Sequence, residues 1–558
     1  MFGLFVFSAS VAKKWLSKPN EENLKKMSQV GHKCSLERNK PRLVEDSAIS
    51  LESVMAEFQL SNETLRRMMA KMSSSMDKGL EGGSKMSTMA MLPSFVPELP
   101  NGTEEGRYLA IDLGGTNLRV MVMDIKPGQD LIVEQFNSRI PNWAMHGTAE
   151  QLFDFIVKCL ADFLIEKDID QDNLPLGFTF SYPCDQRSLR SARLLRWTKG
   201  FNVSGVEGED IVLLLEEAIK RHGGIKVQIV ALVNDVVGTI VAAAHEAKGE
   251  CHVGAIIATG TNASYIEDVS KIKYSLSRSI EPYPYKKMII DTEWSGFGDK
   301  HDADYILTQY DLIIDSRAEH PNENTFDKVV AGKCMGELVR IVLEKLTRCG
   351  VLFKGQQPDV LFTPDTFPTK YISEILKSDL LFHLNIYDEG GSYANTIQIM
   401  DELCIEEYTF SDMLLLREVC IVVSRRSANL AAAAIACLLN RIRKPNMIVG
   451  IDGSTYKYHP LYDLWVKEKI KELIDPSLKE IYHLFIFDVK AQLKMNLQFK
   501  VIQTGDGSGK GAALIAAIIS RLAKEKEAKD TAFIMLNQKS EEENGFNGEP
   551  IPANYILT

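Results

Sequence analysis

The 558-residue chain has no CxxC pair: its nine cysteines, at 34, 159, 184, 251, 334, 349, 404, 420 and 437, are scattered. Such spacing suggests neither a zinc site nor a disulfide framework, and it fits a reducing compartment. Basic charge is also in short supply. With 64 Lys and Arg against 75 Asp and Glu, a net charge of −11, the field of the whole molecule disfavours nucleic acid and anionic membrane as general partners. An anionic ligand must therefore be met locally. A Walker P-loop is missing, because Lys510 is followed by Gly511 where G-x-x-x-x-G-K-[ST] needs a hydroxyl residue. Long uncharged apolar runs are missing too, and none approaches the roughly 18 residues a membrane helix needs. The apolar start MFGLFVFSASVA, which ends at Lys13-Lys14, is too short to span a bilayer and has no charged segment before it. Residues 1–49 are read as a poorly ordered extension of a cytoplasmic protein without stable membrane insertion.

What is present centres on Tyr108 to Met123, two apolar runs joined by Asp112-Leu113-Gly114-Gly115-Thr116-Asn117. This reads as a β-hairpin whose bend meets a ligand. Two glycines let the backbone come close, and their amides can form an anion site. Asp112 ends the first strand, Thr116 adds a hydroxyl, and Arg119 supplies a donor fork suited to phosphate. Strand, glycine-rich bend, strand is read again at Gly254 to Tyr265, with Thr259, Gly260, Thr261 and Asn262 in the bend, and once more at Met447 to Tyr456. Strand, acid, small-residue helix is read at Val227 to Ala247, through Asn234-Asp235, and at Thr504 to Ile518. Repetition of both patterns predicts a duplicated α/β domain, and the length alone exceeds what one core usually holds. Ahead of the hairpin, Leu51 to Met72 has apolar residues at helical spacing, broken and capped near Ser61, and is read as core packing.

In order along the chain stand DLGGTN with Arg119, GFTFSYP with WTKGF, VND, TGTNA, TEW, MGELVR, GIDGS and GDGSGKGAAL. Together they resemble sugar kinases of the hexokinase and glucokinase family, within the actin-like ATPase superfamily, from about Leu51 to Ala523. The resemblance implies two domains of unequal size with the actin-like ATPase (ribonuclease H-like) fold, each an α/β unit with a mixed five-stranded sheet, around a cleft. The large domain would hold 50–96 and 234–504, with an insertion at 480–497, and the small domain 97–233 and 505–526, leaving 527–558 as a C-terminal tail. It implies ATP-dependent phosphorylation of a hexose, glucose foremost, at its 6-hydroxyl, the first step of glycolysis. Sugar contacts would come from Ser181, Thr198, Lys199, Asn234, Asp235, Asn262, Glu293 and Asp327. Nucleotide would meet Gly114, Gly115, Thr116, Asn117, Arg119, Thr259, Gly260, Gly453 and Ser454, with Asp112 holding Mg2+ through water. The implied partners are small molecules, hexose and ATP, bound by a monomer; association with the mitochondrial surface stays open.

A sugar hydroxyl is a poor nucleophile, so a carboxylate must take its proton, and Asp235 is the base with Lys199 as the neutralising charge. Departures from the family pattern are local. Arg190 and Asp291 replace an acidic or small polar residue and an Asn, both outside the implied contacts, and Thr363-Pro-Asp365 replaces a Thr-Arg-Gly beside the adenosine. Asp327 replaces a sugar-contacting Glu; one missing methylene would draw its carboxylate back by about 1.5 Å and weaken sugar affinity. Two other functions compete: a weakly catalytic sugar sensor of the same fold, against which Asp235 and Lys199 count, and an actin-like ATPase, for which SYP and WTKGF would have no use.

Overall fold

The computed structural model describes residues 51–274, 276–383, 393–478, 499–504 and 507–543. The extension expected at 1–49 and the insertion at 480–497 lie outside the described residues. Thirteen strands form among those described: β1 (Leu92–Pro93), β2 (Gly106–Leu113), β3 (Asn117–Ile125), β4 (Ile132–Arg139), β5 (Leu174–Phe180), β6 (Cys184–Ser188), β7 (Ser191–Leu194), β8 (Val227–Val233), β9 (Val253–Ile257), β10 (Thr261–Asp268), β11 (Lys287–Asp291), β12 (Met447–Asp452) and β13 (Phe499–Gln503).

Their order shows the duplication. One sheet runs β4-β3-β2-β5-β8 and the other β1-β11-β10-β9-β12-β13. In the first, β3 pairs antiparallel with β4 and β2, and β5 pairs parallel with β2 and β8. In the second, β10 pairs antiparallel with β11 and β9, and β12 pairs parallel with β9 and β13. Five strands thus repeat five, and the two-residue β1 adds an edge to the second sheet. β6 and β7 form a separate two-stranded finger.

This register corrects one reading. Met447 to Tyr456 is a strand and then a helix, Ser454–Tyr458, not a hairpin. β12 occupies the place that β5 holds in the first sheet, beside a parallel neighbour, so the chain must leave through a crossover instead of folding back.

Period-two alternation places the central strand between two layers. Leu109, Ile111 and Leu113 pack with Phe153, Ile156 and Leu160 of helix Ala149–Glu166. Tyr108 and Ala110 face the opposite layer, with residues of helices Asp235–Glu246 and Gly507–Glu543. Those two helices each follow the last strand of a sheet, β8 and β13, and cross one another between the sheets. Glycine makes the crossing possible: a Cβ at Gly511 would collide with the Gly238 carbonyl, and one at Gly238 would lie 2.6 Å from the Ser508 oxygen. Helix Gly507–Glu543 runs on well past residue 526.

The other face of the second sheet carries the largest core, where the methionines of helix Asn62–Gly82 are buried with helices Gly332–Arg348 and Phe410–Ile442. Ser61 caps the first of these, accepting from the Thr64 amide. Phe410–Ile442 is long and apolar enough to cross a membrane, but 78% of its most apolar window is buried within the protein, as befits a core helix.

Candidate active site

Asn234 and Asp235 sit at the switch from β8 into a helix. Asn234 is the N-cap, with Oδ1 accepting from the Val236 amide at 2.9 Å, so Asp235 opens the helix without having to cap it. Its carboxylate is left for other work. Across from it, Lys199 stands in the left-handed region at φ 57°, followed by Gly200 at φ 82°, and this tight bend delivers Nζ to 3.8 Å from Asp235 Oδ2. Behind the lysine is an aromatic wall of Phe180, Tyr182, Trp197 and Phe201, all buried. Trp197 is pinned by its Nε1 donating to the Val203 carbonyl and by its amide donating to Glu207. Tyr182 Oη donates to the Gly114 carbonyl, which ties the wall to the hairpin bend. Ser181 follows β5 and Thr198 precedes the lysine, so both flank the wall.

The hairpin bend closes through Gly114 N donating to the Asn117 carbonyl at 3.0 Å. Gly115 faces Lys199: a Cβ there would meet the lysine Cβ at 3.3 Å. Asp112, 2% exposed, is the next-to-last residue of β2, and Arg119 directly opposite in register pairs with it at 2.6 Å. Ser508 Oγ donates to the same carboxylate oxygen at 2.9 Å. The fork expected to meet phosphate is therefore placed on Asp112. No group of three or more His, Cys, Asp or Glu suited to a metal occurs among the described residues. An ion such as Mg2+, which keeps several waters and takes few protein ligands, needs no more from the protein than one buried carboxylate such as Asp112 with the Ser508 hydroxyl beside it.

The second glycine-rich bend stands opposite. Ala258 N donates to the Gly260 carbonyl, and the Ala258 carbonyl accepts from the Gly332 amide and the Thr455 hydroxyl. Gly453, at φ 122°, presses on Ile257. Asp452 was missed by sequence reasoning; its two oxygens accept from the Gly453 and Gly507 amides, each at 2.7 Å, clamping two glycine-rich entries together. The signal was available, since an Asp between a buried strand and a Gly-Ser is an amide acceptor by type.

Around the expected sugar contacts, Asn262 Nδ2 donates to Asp291 Oδ1 at 2.7 Å and approaches Glu293 Oε1 at 3.4 Å. Asp291, which the sequence placed outside the contacts, is thus bonded to one of them, and it also accepts from the Glu293 amide at 3.1 Å. Burial raises the carboxyls of both Asp291 and Glu293 above their ordinary range. Asp327 does not stand free, because its Oδ1 accepts from the Thr261 amide at 2.6 Å. Burial pushes this carboxyl up to about 6. Arg196 reaches across to Glu323 and to Asn324, joining the loop after β7 to the loop before helix Thr325–Val330.

Residues 50–245 and 252–518 match two family models, each described as hexokinase. The hexokinase of Brugia malayi is 69% identical over 481 residues, which is 86% of this chain and 79% of that one. Hexokinase HKDC1 of Homo sapiens is 39% identical over 85% of this chain, and the match spans 48% of its length. Of solved structures, the hexokinase from Schistosoma mansoni complexed with glucose is 35% identical with a TM-score of 0.72, covering 84% of this chain and 98% of that one. On two family models that together cover most of its length and a relative 69% identical, the chain belongs to the hexokinase family.

Proposed function

We propose that the protein transfers the γ-phosphoryl group of ATP to the 6-hydroxyl of a hexose, glucose foremost, to give hexose 6-phosphate and ADP. The observation that carries this reading is the Asp235 carboxylate, spared from capping its helix and facing Lys199 at 3.8 Å, in a chain of this family. Asp235 takes the hydroxyl proton while the sugar oxygen forms its bond to the γ-phosphorus and the bond to the bridging β,γ-oxygen breaks, leaving the electron pair on ADP. Lys199 supplies fixed positive charge where negative charge gathers. Asp112, with the Ser508 hydroxyl beside it, would hold Mg2+ through water; when bound, the ion would neutralise phosphate charge. The buried aromatic wall keeps water from the lysine side of the site, where it would otherwise compete for the phosphoryl group.

ADP release across a panel of hexoses tests this. Asp235→Asn is expected to bind sugar and lose turnover by at least ~100-fold, the typical yield of general-base assistance. Failure of every hexose to elicit ADP would sink the reading, and a variant keeping more than about half of wild-type kcat would sink the choice of base.

A further inference from the structure

We infer that Asp291 is a positioning residue for the sugar, its carboxyl carrying a proton shared with Glu293 and thereby holding both Asn262 and Glu293 in binding orientation. The inference rests on the hexose reading above. Asp291 ends β11 and is 3% exposed. Asn262 cannot flip its amide: Oδ1 accepts from the Ala263 amide at 2.8 Å, while Nδ2 faces the two carboxyls. Asp291 therefore holds the Asn262 amide from its nitrogen end, as the Ala263 amide holds it from the oxygen end. It holds the pose of Glu293 as well, since Glu293 sits in the left-handed region at φ 48° and its amide is taken by Asp291 Oδ1. A non-glycine residue persists there only when its surroundings hold it.

Asp291 is buried, and its carboxyl shares one amide with that of Glu293, which makes it the costlier of the two to charge; the pair therefore retains a proton on Asp291 and titrates as a unit. Charges facing the pair come from several elements. Lys199 and Arg196, from the opposite side of the cleft, favour the anion on Glu293, whereas Asp235 and, from helix Thr325–Val330, Asp327 oppose it. The Cys184 thiol of β6 faces the carboxyls but is itself held neutral by burial. With both cations on the Glu293 side, Asp291 is the member that keeps the proton and donates it. A small cavity of about 20 Å³, wide enough for one water, lies beside Asp291 and is shared with Asn234, Gln186 and Cys184. Asp291 thus adjoins a second expected sugar residue.

Loss of the shared proton at high pH leaves two like charges that push Glu293 out of place, so glucose binding weakens as pH rises. Asp291→Asn reproduces the neutral acid: its oxygen can accept from Asn262 and the Glu293 amide, and its NH2 can donate to Glu293. The experiment is glucose binding by calorimetry without nucleotide, from about pH 6.5 to 9, in buffers of differing ionisation enthalpy. Wild type is expected to lose at least about threefold in affinity across that range and to take up protons on binding at its upper end. D291N should hold its affinity constant and take up none. Proton uptake by the wild type is readable even if the variant does not fold. Binding by the wild type that is independent of pH and of buffer overturns the inference, as does an equal pH dependence in a folded D291N. ADP release measured alongside separates the two failures: turnover with pH-independent binding overturns the role of Asp291 alone, and absence of any glucose binding overturns it together with the hexose reading.

Discussion

Asp327 shows how a single carboxylate can be spoken for by the scaffold. Its bond to the Thr261 amide fixes the second glycine-rich bend, and burial raises its pKa to about 6. Between the ordinary aspartate value of about 3.9 and that raised value, the folded protein holds a proton that the unfolded chain has lost. Stability therefore falls as pH rises through that window, and the cost is complete above it. Asp327→Asn keeps an oxygen for Thr261 and escapes the cost. Thermal unfolding without sugar should show the variant gaining on the wild type from about pH 5 to about pH 7.5. A constant difference at both pH values would mean that the charge on Asp327 costs the fold nothing. Sequence alone flagged Asp327 as a departure, yet it could not show the amide that claims it, because Thr261 lies 66 residues away.

Helices Asp235–Glu246 and Gly507–Glu543 carry the two acid-side entries, and their crossing sets how the entries face one another. Gly511→Ala puts a methyl group into the Gly238 carbonyl. Overpacking of this kind typically costs ~1–3 kcal/mol, and rigid backbone on the other side leaves the helix itself to move. Because Ser508 opens that helix and donates to Asp112, the displacement should raise the KM for ATP as well as lower the melting temperature. A G511A protein with unaltered stability would show that the helices slide apart freely. Both strand-to-helix entries were legible, since an acid or glycines between an apolar strand and an Ala-rich run is a local pattern. The helix after β12 was not: Gly453-Ser454 reads like the Gly-rich bends of the hairpins, and only the parallel pairing of β12 with β9 and β13 decides the direction of the chain.

For the whole molecule, the duplication was legible because each half repeats the same strand and bend chemistry, five strands against five. Side-chain contacts across the cleft were not, being made by loops far apart in sequence. Arg196 and Glu323 are the case in point, 127 residues apart, with side chains 42% and 44% exposed. Arg196 also reaches Asn324 and bears on Glu293, so the pair bridges the cleft just outside the expected sugar contacts. Exposed ion pairs contribute about 0.2–1 kcal/mol, which at ~1.4 kcal/mol per decade limits the effect to roughly fivefold in affinity. Arg196→Ala and Glu323→Ala are each expected to raise the KM for glucose within that limit, the arginine variant more because it also loses its action on Glu293. Stability should hardly change, since neither side chain is buried. Salt supplies the discriminating measurement: screening over a Debye length of about 8 Å at physiological ionic strength should weaken the wild-type bridge as salt is added. The wild-type KM should then climb toward that of E323A while E323A itself stays flat, and the double variant should match R196A. Independent, additive effects of the two substitutions would show that the side chains do not act on each other across the cleft.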